Sequence, residues 1–339
     1  MKNNESKKVT LRQVAEHAGV SKSTVSLILQ GNARISQATR ERVLDSIQQL
    51  GYIYDRNAAN LRSKQRPSTV GLLISEIANP FFSRLLAGLQ QKFEQEDYTV
   101  ILGTTHDSCT QQEKLLSNLL EYRVSGIILS PASGSTQESF EQIINRGIPF
   151  VLVTKEPENS RYDYVGSDYV LGGQIAVEHL IQKGHKRIAY LGGPQESSSW
   201  KDRKLGYYNA LNQAGITIDD TLIVNGPVTR EGGVAAIKKV LSHSNPPTAA
   251  FCFNDIIALG VMKGLKDAGL TPGQDFGIVG YDDIEEATYS NPGLTTIKGH
   301  SGIIGAHAAN LLHQRIIGTL ENGPQRIIID PELIVREST

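Results

Sequence analysis

The residues most suggestive of covalent chemistry are few and badly arranged for it. Gly299-His300-Ser301-Gly302-Ile303 approaches the Gly-x-Ser-x-Gly elbow that exposes a nucleophilic serine, but Ile303 stands where the second glycine is required. His307 and His313 have the spacing of faces on one packed helix, with no acid and nucleophile in order around them. Cys109 and Cys252 lie far apart in apolar sequence and read as two buried free thiols of a reducing compartment. There is no P-loop, no Gly-x-Gly-x-x-Gly after a strand, and no Cys/His spacing suited to a metal. The sequence therefore speaks against an enzyme, and it calls for no cofactor. Recognition chemistry is better represented. In "GVSKSTVSLILQGNARIS", residues 19–36, Ser21 is a natural N-cap, and Val25, Ile28 and Leu29 recur at helical spacing on an inward face. Lys22, Ser23, Ser26 and Leu27 share the outward face, and Gly31 ends the segment. A short helix with small polar groups on its free side is built to lie against a partner.

The elements around that helix give it a setting. Thr10-Leu11-Arg12-Gln13 has the spacing of a capping box, opening a helix to about His17 with Leu11, Val14 and Ala15 inward. Ala18-Gly19-Val20 forms a tight turn, and Ser36 caps a third helix carrying Val43, Ile47 and Leu50. Two short helices joined by a glycine turn and buttressed by a third predict a helix-turn-helix, whose second helix enters the major groove. Charge agrees: residues 1–66 hold 12 Lys/Arg against 5 Asp/Glu, whereas the remaining 22 basic and 30 acidic residues leave the rest of the chain at −8. A basic head on an acidic body is the footprint of a nucleic-acid module joined to something else. From Thr69 onward, short runs rich in valine and isoleucine ("TVGLLIS", "GIILSP", "FVLVT", "RIAYLGG", "GIVGYD") alternate with amphipathic helices, which predicts parallel sheets covered on both faces, too many strands for one sheet. The expected fold class is an all-α helix-turn-helix domain plus an α/β core of two Rossmann-like subdomains, with a ligand cleft outside the carboxyl ends of the strands. No apolar run is long enough to span a bilayer, and the charged start "MKNNESKKVT" is unlike a secretory signal, so a cytoplasmic protein is expected.

"VTLRQVAEHAGVSKSTVSLIL", with "TRERVLDSIQQLGYIYDRNAANLR", "VGLLISEIANPFF", "GHKRIAYLGGP", "PTAAFCFNDIIALGVMKGLKDAGL" and "VGYDD…LTTIK", resembles the LacI/GalR family of bacterial repressors over nearly the whole chain. Within it, "SLILQGNARIS" looks most like the maltose-regulon MalI branch. The resemblance implies a DNA-binding domain at 1–54, a hinge helix at 55–67, and a periplasmic-binding-protein-like core at 68–339. The core would divide into an N-subdomain of about 68–167 and 298–328 and a C-subdomain of about 168–297 and 329–339, with crossovers near 167, 297 and 328. By position in the family's motifs, Lys22, Ser23 and Leu27 read bases; Ser21, Thr24, Ser26 and Arg34 join the DNA contacts. Asn57, Ala58 and Leu61 belong to the hinge, Leu61 as the wedge that opens a base step.

The same resemblance places the effector site at Ser75, Phe81, Phe82, Thr154, Lys155, Ser199, Arg203, Asn254 and Asp282, with Trp200 in a loop of the cleft as a further stacking surface. Arg203 would clamp hydroxyls or a carboxylate with its planar fork. Thr154-Lys155 departs from the family's usual aspartate, and Val228 stands where several relatives carry an aromatic. The expected function is operator binding controlled by a small-molecule effector, a sugar or sugar phosphate, in a homodimer, since the chain carries no leucine-rich tetramerising tail. The alternative is a periplasmic-type sugar receptor with no role on DNA.

Overall fold

The computed structural model describes residues 9–29, 35–53, 68–320 and 323–339. Two compact units divide the chain, Met1–Pro67 and Ser68–Thr339. In the first, helix α1 (Leu11–Ala18) opens on the expected capping box: Gln13 N–H donates to the Thr10 hydroxyl and Thr10 N–H to the Gln13 amide oxygen. It stops at Gly19, in the left-handed region at φ 62°, which a side chain would strain. Helix α2 (Lys22–Leu29) starts with Thr24 N–H donating to the Ser21 hydroxyl at 3.1 Å, and α3 (Gln37–Leu50) starts on the Ser36 hydroxyl. Val14, Ala15, Ala18, Val25, Ile28 and Val43 close a small core, with Leu11, Leu29, Ile47 and Leu50 packed against it. Ser46, buried at the waist of α3, accepts or donates at His17 Nδ1 (3.0 Å), a polar brace that hydrophobic spacing does not reveal. Gly31, Arg34 and the expected hinge residues Asn57, Ala58 and Leu61 lie outside the described residues.

The second unit holds two six-stranded sheets. The first contains β1 (Thr69–Ile74), β2 (Thr99–Thr104), β3 (Gly126–Leu129), β4 (Phe150–Val153), β5 (Asp163–Ser167) and, late in the chain, β11 (Arg326–Ile329). All are parallel, in the order β11-β5-β4-β3-β1-β2. The second contains β6 (Ile188–Leu191), β7 (Ile223–Val224), β8 (Ala249–Cys252), β9 (Gly277–Tyr281), β10 (Thr295–Lys298) and β12 (Glu332–Ile334), in the order β12-β10-β9-β8-β6-β7. Only the β10–β12 pair is antiparallel. The chain passes between sheets after Ser167, after Lys298 and between Ile329 and Glu332.

Helices α4 (Pro80–Gln95), α5 (Cys109–Glu121), the short α6 (Glu141–Ile144) and α12 (Ser301–Ile317) cover the first sheet; α7 (Tyr169–Gln182), α8 (Ser198–Gln213), α9 (Arg230–Leu241), α10 (Asp255–Asp267) and α11 (Glu285–Tyr289) belong with the second. Central strands are buried along their length, as strands covered on both faces must be, and this is what made them legible as continuous apolar runs. Strand order reverses beside β1 in one sheet and beside β6 in the other, so each sheet opens a crevice at its carboxyl edge. Ser75, Thr154 and Lys155 follow strands of the first sheet, and Asn254 and Asp282 follow strands of the second. The near-elbow sequence does not form one: His300 takes a left-handed turn (φ 55°) and Ser301 begins α12. Cys252 is buried and Cys109 only half-buried, its thiol near the Ser133 carbonyl; both are free.

Candidate functional site

A cavity of about 560 Å³ lies at these strand ends. Ser75, Phe81, Phe82, Thr154, Lys155, Ser199, Arg203, Asn254, Asp282 and Val228 all line it. Pro80 at the first turn of α4 and Asn79, whose side chain accepts from Phe81 N–H at 3.0 Å, set the two phenylalanines. Their rings meet edge to face at 5.3 Å, and both also belong to the core of the first sheet. They are wall and core at once.

Arg203 is the most unusual group. It is 4% exposed, its guanidinium stacked among the rings of Tyr281 (4.0 Å), Tyr169 (4.4 Å) and Phe253 (4.6 Å). Aromatic faces attract a cation but supply no acceptor for its N–H groups. Nη1 donates to the Ser199 carbonyl at 3.1 Å; Nη2 is 3.9 Å from Asp282 Oδ1, too far for a hydrogen bond; Nε has no partner. A buried donor left empty costs about 1–3 kcal/mol, so the guanidinium of this cavity-lining residue is incompletely satisfied by the protein alone. At 4% exposure Arg203 is not a surface ion-pair residue.

Asp282 sits at φ 111°, a strained backbone for a side-chain-bearing residue, held by its N–H to the Ile297 carbonyl at 2.7 Å. Burial pushes its carboxyl up to about 7, and Arg203 pulls in the opposite direction. The next turn is braced by Asp255, fully buried, which accepts from Thr296 Oγ1 and from Ile284 N–H (2.9 Å). Burial and then the neighbouring Asp282 raise the Asp255 carboxyl well above the usual range. Asn254 caps α10, its side chain accepting from Ile257 N–H at 3.1 Å.

On the opposite wall Lys155 Nζ donates to Asp107 Oδ1 (2.6 Å) and to Ser75 Oγ (3.2 Å). Burial lowers the Lys155 pKa and Asp107 counters it. Thr154, at φ 63°, shares a hydrogen bond with Ser130 Oγ at 2.8 Å. Ser199 is bonded to Ser197 Oγ at 2.9 Å.

Trp200 is a correction. It stands in the first turn of α8, not in a loop, is buried, donates its indole N–H to the Gly192 carbonyl (2.9 Å) and packs on Tyr190 at 5.4 Å; it does not line the cavity. Sequence reading also missed Tyr169, Tyr281, Phe253 and Asp107. Tyr281 and Phe253 directly precede the polar residues that were singled out, and a strand-end aromatic was the available signal.

On α2, Ser21, Lys22, Ser23 and Leu27 are exposed, and Thr24 and Ser26 half-buried, while Val25 and Ile28 turn inward. Leu27 is 40% exposed, a large apolar side chain left in water on a polar face.

Residues 10–55 match the bacterial regulatory proteins, lacI family, and residues 177–339 match the periplasmic binding protein-like domain. The transcriptional repressor PurR of Photobacterium profundum is 31% identical over 97% of this chain and 98% of its own. The chain belongs to the lacI family. Among solved structures of this LacI family, the lac repressor dimer bound to operator and an anti-inducer is 29% identical, with TM-score 0.84 over 98% of this chain and 99% of that one. The transcriptional regulator CelR in complex with cellobiose is 31% identical, with TM-score 0.74 over 98% of this chain and 100% of that one. This LacI-family chain is a DNA-binding transcriptional repressor with a ligand-binding core, and the receptor reading gives way to it. Its relatives are repressors, not enzymes. No helix among the described residues is long and apolar enough to cross a membrane.

Proposed function

We propose that this repressor binds a pseudo-palindromic operator as a homodimer in the cytoplasm, and that a sugar or sugar phosphate in the core cavity sets its operator affinity. Lys22, Ser23 and Leu27 read base edges, and Ser21, Thr24 and Ser26 position phosphates. Arg34, Asn57, Ala58 and Leu61 extend the DNA contacts in this reading. The observation that carries the effector half is Arg203, buried among three rings with Nε unpartnered in a cavity that also presents Asp282 and Asn254. The aromatic walls suit the apolar faces of a sugar ring, and the spare donors and acceptors suit its hydroxyls. The complex of the related CelR with cellobiose supports the ligand class.

Lys155 follows a strand of the first sheet, whereas Arg203, Asn254 and Asp282 belong to the second. A ligand held by both therefore favours one arrangement of the two subdomains. It shifts operator affinity only by its difference in affinity for the two arrangements. Selection from random DNA with the full chain is expected to enrich a two-fold-symmetric site, and titration of that site with millimolar sugars to change its affinity. Enrichment of no sequence defeats the operator reading. A site that no sugar or sugar phosphate affects defeats the effector reading.

A further inference from the structure

We infer that the effector is an uncharged polyol, a sugar bearing neither phosphate nor carboxylate, and that the Lys155–Asp107 ion pair excludes the phosphorylated forms. The inference rests on the sugar reading above and narrows it to one charge class.

Both buried cations of the cavity come with a carboxylate beside them. Lys155 Nζ lies 2.6 Å from Asp107 Oδ1, and Arg203 Nη2 lies 3.9 Å from Asp282 Oδ1. The Lys155 side chain is 12% exposed and that of Asp107 29%, so the carboxylate is the more open member of its pair. An anion approaching the ammonium meets negative charge first. Asp107 cannot simply swing aside. Its Oδ1 also accepts from Ser133 N–H at 2.9 Å, and its own N–H donates to the hydroxyl of fully buried Thr105 at 3.3 Å. Four acids line the cavity (Glu76, Asp107, Glu231, Asp282) against three bases (Lys155, Arg203, Arg230), with His106 bonded to Glu76 at 3.1 Å. Of the bases, Arg230 is half-exposed and faces Glu286 at 3.8 Å. Among the described residues, no cation lining the cavity stands free of a carboxylate.

Hydroxyls fit this pattern because each one accepts and donates. One can sit between Arg203 Nη2 and Asp282 Oδ1, 3.9 Å apart, accepting from the guanidinium and donating to the carboxyl group, and another can accept the third ammonium proton of Lys155 while donating to Asp107. A phosphate can only accept from the cations, and the Asp107 carboxylate fixed against the Lys155 ammonium repels it. The arrangement rewards a neutral donor–acceptor and penalises an anion.

The test is calorimetric titration of the full chain with ribose, glucose, fructose and cellobiose, each beside its monophosphate, on wild type and Asp107→Asn. At least one free sugar is expected to bind wild type on the order of tenfold or more tightly than its phosphate. In Asp107→Asn, with the ammonium released to an incoming anion, that ratio is expected to fall towards one or invert. Asp107→Ser serves if the asparagine variant does not fold, and the wild-type comparison decides the charge class without any variant. A phosphate that binds wild type as tightly as its parent sugar overturns the inference while leaving the sugar reading intact. A folded Asp107 variant that keeps the full wild-type ratio overturns the role of the ion pair. If no member of either column binds, the sugar reading falls, and the inference with it.

Discussion

Leu27 and Asp282 are each a residue at odds with its surroundings. Leucine on the outward face of α2 has no donor for a base edge and offers only apolar contact, for instance to a thymine methyl. Replacing it with arginine supplies a fork that grips guanine with two hydrogen bonds, worth about 1–3 kcal/mol of discrimination. Leu27→Arg is therefore expected to move the preferred base towards guanine at one symmetric pair of operator positions. Binding-site selection on both proteins checks this, and an unchanged consensus removes Leu27 from the reading face. Asp282 is out of place in the opposite sense, an acid taken out of water. Its carboxyl is raised by burial to about 7, above the roughly 3.9 of an unfolded chain. Between those values the folded protein holds a proton that the unfolded one has lost, so the contribution of Asp282 to stability falls as pH rises through the window and is flat above it. Without ligand, the melting temperature of wild type is expected to decline relative to Asp282→Asn from pH 5 to pH 8. Parallel profiles for the two proteins would show that Asp282 is not the group that titrates.

At the scale of elements, three helix pairs among the described residues approach backbone to backbone through glycine. A Cβ on Gly173 of α7 would stand 2.4 Å from the Arg203 carbonyl of α8, and one on Gly206 would stand 2.1 Å from the Val170 carbonyl. Gly233 and Gly260 do the same between α9 and α10, and Gly88 and Gly305 between α4 and α12. Because the obstacle is main chain, no rotamer change relieves it, and overpacking of this kind costs about 1–3 kcal/mol. Gly173→Ala is expected to lower the melting temperature by several degrees and also to weaken effector binding, since it displaces the turn that carries Arg203. Gly323→Ala, with nothing within 4 Å, is the neutral control. A Gly173→Ala protein with full effector affinity would mean that α8 tolerates the shift. These contacts mark the limit of what the sequence discloses. Capping residues, apolar runs and helical periodicity show in a single chain because they act within one element. The Lys155–Asp107 pair spans 48 residues, and the aromatic box around Arg203 draws on Tyr169, Phe253 and Tyr281, so both arise only once strands are ordered in a sheet. Trp200 was misplaced for a local reason. Ser197, Ser198 and Ser199 blur where loop becomes helix, and the Ser197 side chain makes no capping bond that would mark the boundary.

For the molecule as a whole, the proposed reading helix α2 and the proposed effector contact Arg203 belong to separate compact units. Each can then be impaired without the other, provided that the substituted residue supports only one task. Arg203→Ala is expected to leave affinity for the operator in the absence of ligand close to wild type, because no DNA contact is removed. The response to effector should vanish over the wild-type range. Hydrogen bonds to a charged donor contribute about 1.5–3 kcal/mol, so losing the guanidinium weakens ligand binding by roughly ten- to 150-fold. The carboxyl of Asp282 also loses the cation that opposes its burial. If ligand releases the repressor, the variant stays on its operator at ligand concentrations that clear the wild type; if ligand is a corepressor, it stays off. Fluorescence anisotropy on labelled operator, with and without the sugar that binds the wild type, separates these outcomes. A variant that responds at wild-type concentrations would show that Arg203 is a structural residue of the aromatic box and that the effector is held elsewhere in the core.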